Sequence, residues 1–179
     1  MCEPAAAGRR VRGNAEAKKK ESEMKSRAEI LKESYQMGRH VEGGSFFEMY
    51  TAPFTQEGRP LAGSIYYLLD AGEVSRFHEI DCDEIWYYHE GCGMKITALA
   101  GGEKREYLLG ADAEAGERAS VVIPKGCLFA AENLQSDGFT FVSCITVPKF
   151  AHAGYRLVDK NELRENYPDL YEELAHLAY

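Results

Sequence analysis

An all-β fold, a double-stranded β-helix or jelly-roll barrel with a short helix at either end, is what this sequence predicts. Three observations carry that expectation. From residue 45 to residue 147 the chain is a series of short runs rich in aromatic and β-branched residues, punctuated by Gly, Pro and Asp. No helical crossover of roughly 10–15 residues interrupts the series, which excludes strand–helix–strand units. Gly101-Gly102 and Pro124-Lys125-Gly126 are tight-turn signals between neighbouring runs.

Taken in order, residues 1–24 are rich in Ala, Gly, Lys, Arg and Glu and offer almost nothing to bury, so they are expected to form a disordered basic leader. Residues 25–36 place Ala28, Ile30, Leu31 and Tyr35 near helical spacing, with Gly38 as the stop. Strands are expected at 45–51, 62–69, 75–80, 84–90, 94–100, 104–109, 119–123, 127–131 and 139–147. These make a barrel domain over residues 25–160. A C-terminal helical extension over 161–179 follows, capped by Asn161 or Asp169 and broken at Pro168. Leu170, Leu174 and Leu177 give it one apolar face, for core or dimer packing.

Composition narrows the function. The net charge is −8; residues 1–27 carry eight Lys/Arg against four Asp/Glu, a net of +4, which leaves −12 on residues 28–179. An acidic body repels phosphate backbones, so no nucleic-acid partner is expected. No run approaches the roughly 18 apolar residues of a membrane span, and none resembles a signal peptide. Five cysteines without a CxxC pair suit reduced thiols and a cytoplasmic protein.

The chemistry concentrates between Gly72 and Gly91. His78 ends one strand and Glu84 begins the next, and Asp81-Cys82-Asp83 reads as a hairpin turn that lets them converge. Parity then puts His78 with Ile80 on one face, and Glu84, Trp86 and Tyr88 on another. A polar patch within an aromatic wall is the usual make-up of a small-molecule pocket. The plain alternative for His78 and Glu84 is a buried hydrogen-bonded pair. Trp86 and Phe129 serve equally well as core filler, and His152 and His176 read as surface histidines.

The spacing Gly72-x5-His78-x-Ile80-x3-Glu84-x6-Gly91 resembles the first cupin motif, with Ile80 in place of its second His. Pro124, Gly126 and Asn133 resemble the second motif, with Phe129 where its His belongs. The strings HVEGGSFFEMY (40–50), SIYYLL (64–69), FHEIDCDEIWYY (77–88) and VVIPKG (121–126) are similar to the "cupin 5" branch. The resemblance implies a jelly roll, a homodimer and a small-molecule ligand.

It also implies a divalent metal, Zn, Fe, Mn or Ni, held by His78 and Glu84, although two protein ligands are a thin set for such ions. His89 has the wrong parity to stand in for Ile80. The metal-free reading is an isomerase or epimerase of a sugar or keto metabolite, with His78 as base, Glu84 orienting it, and Tyr88 or Tyr66 as acid. Tyr66, Ile80, Trp86, Phe129, Asn133 and Glu42 are the expected ligand-binding residues. A non-catalytic ligand binder or sensor, and a metal enzyme with a depleted ligand set, stay open as alternatives.

Overall fold

The structure, a computed structural model, describes residues 25–179; the leader expected over residues 1–24 lies outside the described residues. A first helix, α1 (Arg27–Ser34), begins at a capping box in which Ser26 and Glu29 satisfy each other's backbone N–H groups. It buries Ala28 and Leu31 against Leu68 and Phe141.

Thirteen strands follow among the described residues. They are β1 (Gly38–Arg39), β2 (Ser45–Thr51), β3 (Thr55–Gln56), β4 (Arg59–Pro60), β5 (Gly63–Leu69), β6 (Val74–Ile80), β7 (Asp83–Gly91), β8 (Met94–Ala100), β9 (Glu103–Leu109), β10 (Ser120–Ile123), β11 (Leu128–Asn133), β12 (Thr140–Val147) and β13 (Tyr155–Leu157). Two sheets face each other, in the orders β1-β2-β5-β12-β7-β10 and β13-β6-β11-β8-β9, and β3 and β4 form a separate small hairpin. The nine expected strands are all present, shifted by at most two residues at an end. The short β1, β3, β4 and β13 went unread because two or three residues cannot show an alternation.

The β8–β9 hairpin turns on Gly101 and Gly102, both at positive φ (59° and 82°), as a two-residue loop requires. The turn expected at 81–83 is different. Strands β6 and β7 lie in opposite sheets, so Asp81-Cys82 is a corner and not a hairpin. Its acids serve neighbouring segments: Asp81 takes both arms of the Arg59 guanidinium at 2.8 Å, and Asp83 accepts from the Lys125 N–H at 2.9 Å. His78 and Glu84 therefore come from facing walls of the barrel.

Between the sheets lies a core of Tyr67, Trp86, Met94, Ile96, Phe129 and Val142. At the C-terminus, α2 (Lys160–Asn166) is capped by Asp159, which accepts from the N–H groups of Asn161 and Glu162, rather than by Asn161 or Asp169. A 3₁₀ turn (Pro168–Leu170), α3 (Tyr171–Leu174) and a second 3₁₀ turn (Ala175–Leu177) complete the chain. Leu174 and Leu177 are buried against Phe77, Leu99 and Leu128, so the apolar face packs on the protein's own second sheet.

Candidate functional site

A cavity of about 310 Å³ opens at one end of the barrel and is lined by His40, Glu42, His78, Ile80 and Glu84, among others. How Glu42 arrives there is a matter of backbone. The loop His40 to Gly44 folds back against β5 and β6, and its glycines permit the approach. A Cβ on Gly43 would lie 2.0 Å from the Val74 carbonyl oxygen, and one on Gly44 would lie 2.8 Å from the Leu68 carbonyl oxygen. The Arg76 N–H donates to the Glu42 carbonyl at 2.9 Å and the Tyr67 hydroxyl to that of Gly43 at 2.8 Å. This fixes the loop and turns the Glu42 side chain inward.

Strand β6 supplies the facing groups through a bulge. Phe129 stands opposite His78 and Ala131 opposite Ser75, so β6 has one residue more than β11 over this interval. The extra residue brings Ser75 and His78, three apart, onto the same carboxylate. The Ser75 hydroxyl donates to Glu42 Oε1 at 3.0 Å, and His78 Nε2 lies 3.4 Å from Oε2. His78 Nδ1 is 2.7 Å from the Arg76 carbonyl oxygen, which can only accept. The proton therefore sits on Nδ1, and Nε2 presents its lone pair towards Glu42. His40 Nδ1 approaches the same Oε2 at 3.6 Å and has no hydrogen-bond partner of its own.

Glu84, from β7 on the opposite sheet, is buried, and no described donor reaches it with good hydrogen-bond geometry; the indole N–H of neighbouring Trp86 is likewise unpartnered. Among the described residues His78 pairs at ion-pair distance with Glu42 and not with Glu84. The expectation that Glu84 orients His78 is thereby corrected, although the Glu84 charge still acts on the imidazole across the cavity.

Burial governs the protonation states. It pushes the Glu42 and Glu84 carboxyls up to about 7, opposed chiefly by the nearby His40 and His78 respectively. It lowers His78 and His40, so both imidazoles favour the neutral form. The Cys144 thiol in the cavity wall is pushed well up, first by burial and then by Glu84, which leaves it a poor nucleophile.

Of the expected site residues, Glu42, His78, Ile80 and Glu84 meet at this cavity. The others stand elsewhere. Tyr66 lies on the outer face of its sheet, against Tyr35 and Phe141. The Tyr88 hydroxyl donates to the Gly91 carbonyl at 2.8 Å, away from the cavity. Phe129 packs behind the wall with its ring centre 4.1 Å from that of His78, and Trp86 packs edge-on to Phe129. Asn133 Nδ2 donates to the carbonyls of Leu69, Asp70 and Gly138, a backbone clamp.

The lining residues that the sequence did not point to include His40, Phe46, Glu48, Thr146, Lys149 and His152. His152 is exposed, as a surface histidine should be, yet it stands at the cavity's edge. His40, Phe46 and Glu48 lie in the string at 40–50, the sequence signal that could have found them.

The donor set does not fit a resident metal. No three His, Cys, Asp or Glu side chains among the described residues stand in metal-holding geometry. Ile80 and Phe129, both buried and apolar, occupy the two positions where the motif expects histidine. His89, on the outer face, contacts the Ser143 hydroxyl at 2.9 Å and is of no use to the cavity.

Comparisons agree with the fold. Residues 29–158 match the family model Cupin_5, described as "Cupin superfamily (DUF985)". The uncharacterized protein YML079W of Saccharomyces cerevisiae is 28% identical over 165 residues, 80% of this chain and 82% of that one. The crystal structure of protein SO0799 from Shewanella oneidensis superposes with a TM-score of 0.82 at 34% identity, over 87% of this chain and 99% of the other. A hypothetical protein from Leishmania major superposes with a TM-score of 0.79 at 26% identity, over 86% and 99%.

Proposed function

The chain belongs to the Cupin_5 (DUF985) family of the cupin superfamily, and on that premise we propose that it is a metal-independent isomerase or epimerase of a small sugar or keto metabolite. The carrying observation is one cavity that brings together the unprotonated Nε2 of His78, facing Glu42, and the buried carboxyls of Glu42 and of Glu84 on the opposite sheet. In this reading His78 Nε2 removes a proton from the carbon next to a carbonyl. Glu42, 3.4 Å away, stabilises the imidazolium that forms. Glu84, in its protonated form, returns a proton from the opposite sheet, on the other side of the substrate carbon. Two acid–base groups on facing walls suit inversion or shift of a proton better than a hydrolytic step.

Solvent exchange is the direct test. Keto acids, ketoses and uronates incubated with the protein in D₂O would gain deuterium at the α-carbon, seen by proton NMR, and His78→Ala would stop the exchange. A compound that binds in the cavity and comes back without deuterium would replace this reading with that of a non-catalytic binder or sensor.

The four described cysteines carry free thiols, which supports a reducing, cytoplasmic setting. No described helix is long and apolar enough to cross a membrane. The partner is a second copy of the chain, docked on β2. Among the described residues no strand pairs with the outer edge of β2 beyond Phe46, and Phe47, Met49 and Tyr50 are exposed along it. An edge this apolar is one that monomers avoid leaving open.

A further inference from the structure

The mouth of the cavity is built differently from its floor. Glu42, His78 and Glu84 on the floor are buried, whereas the mouth carries Glu48, Lys149 and His152. Lys149 is the one Lys or Arg side chain among the described residues lining the cavity. Its position is fixed from three directions. The Lys149 N–H donates to the Pro60 carbonyl at 3.0 Å, and Arg59 Nε donates to the Lys149 carbonyl at 2.6 Å. Arg59 is in turn held by both carboxylate oxygens of Asp81. The aliphatic stem of Lys149 lies across Gly63, where a Cβ would stand 2.7 Å from its Cγ.

The ammonium belongs to a partly exposed network with Thr51 and Glu48, in which the Thr51 hydroxyl also donates to Glu48 Oε1 at 2.9 Å. It donates to Thr51 Oγ1 at 2.6 Å and lies 2.8 Å from Glu48 Oε2, whose side chain is 53% exposed. Water competes for such a pair, and an anionic ligand group entering the mouth can take the place of Glu48. We propose that Lys149 is the specificity residue of the cavity and that the compound it selects is a small monocarboxylate. One ammonium balances one charge. A phosphate dianion would keep an uncompensated charge beside Glu48, without the several donors that phosphate sites supply. With the carboxylate held at the mouth, the rest of a short molecule extends towards His78 on the floor. This assignment rests on the cavity being the ligand site of the preceding reading.

The test is a matched panel, namely pyruvate, lactate and glucuronate, each against its primary amide, titrated into the full-length protein and followed by protein NMR. At least one acid is expected to bind ten-fold or more tightly than its amide. Lys149→Met, which keeps the stem over Gly63, is expected to bring the acid down to the amide's affinity and leave the amide unchanged; Lys149→Arg is expected to keep the preference. Gly63→Ala, which displaces the stem, is expected to weaken acid binding alone. Amide binding that survives Lys149→Met shows that the variant is folded. The proposal is overturned if no acid binds, if amides bind as well as acids, if Lys149→Met keeps the preference, or if inorganic phosphate binds more tightly than every acid. Deuterium exchange without acid preference would overturn this role of Lys149 alone. Acid preference that depends on Lys149, without exchange, would overturn the catalytic reading alone.

Discussion

Oε2 of Glu42 and Nε2 of His78 stand 3.4 Å apart across the barrel interior, although thirty-six positions separate them in the chain and neither belongs to the other's strand. Because Nδ1 of the same ring is engaged by the Arg76 carbonyl, the free nitrogen has a carboxyl for its nearest partner. Such a pair works as an acid–base unit: a proton taken by the imidazole is stabilised by the carboxylate beside it. Glu42→Gln keeps the size of the side chain and an acceptor for Ser75 but removes the charge. It is expected to slow α-deuterium incorporation about 100-fold, with the rate profile against pH losing one limb. Unchanged exchange would remove Glu42 from the mechanism.

The two raised carboxyls also shape stability. Each has a folded-state pKa near 7 against 4.5 for an ordinary Glu. Between those values the folded protein binds more protons than the unfolded chain, so stability is fullest below about 4.5 and declines as pH rises through 7. His78, lowered by burial, acts in the opposite sense and adds stability as pH rises towards its ordinary value. Glu84→Gln deletes one of the two declining contributions. It is expected to raise stability at pH 8 by about 2 kcal/mol and to leave pH 4.5 nearly unchanged, read from urea midpoints at the two pH values. Equal effects at both would show that the Glu84 charge is not the cause.

Much of this fold was legible because alternation survives in strands of six or more residues, and β2, β5, β6, β7, β8, β9, β11 and β12 are all that long. What the residues could not disclose was which strands pair. His78 and Glu84 read as neighbours across a hairpin because nothing local distinguishes a turn from a corner between sheets. The β6 bulge was hidden for the same reason, since its extra residue shows only against β11. Without it Ser75 and His78 fall on opposite faces by parity. Glu42, an expected ligand-binding residue, lies within the string at 40–50. Lys149 and His152 follow strand β12 in an irregular segment that carries no periodicity to read.

The glycine pair next to Glu42 offers a sharper check on how the site is assembled. Gly43 has φ 119°, and an added Cβ would meet the Val74 carbonyl oxygen at 2.0 Å, a backbone atom that cannot turn away. Gly43→Ala must therefore push the loop off β6 and break the contact between the Arg76 N–H and the Glu42 carbonyl. The expected cost is about 3 kcal/mol, measured by denaturant unfolding, together with loss of ligand binding. Gly58, also at positive φ but with open space around its Cβ position, is the control. Gly58→Ala should cost about 1 kcal/mol and leave binding intact.

Among the described residues the outer edge of β2 is paired by β1 only at Ser45 and Phe46. Phe47, Met49 and Tyr50 are 39%, 45% and 50% exposed, and Phe54 just beyond the strand reaches 73%. Phe47 and Tyr50 stand opposite Tyr66 and Ser64 of β5, on one face of the sheet, and Met49 is the extra residue of a bulge between them. A second copy added antiparallel along this edge would pair the free backbone groups and bury the apolar side chains of both copies at once. A lysine in the middle of the edge is a device that natural sheets use to block such pairing. Met49→Lys is therefore expected to convert a dimer into a monomer of about 20 kDa, the mass of the chain, in native mass spectrometry. Glu48, next to it and pointing to the cavity, is left in place by that variant. A dimer that persists in Met49→Lys would move the interface to another surface, and a wild-type monomer would dispose of it altogether.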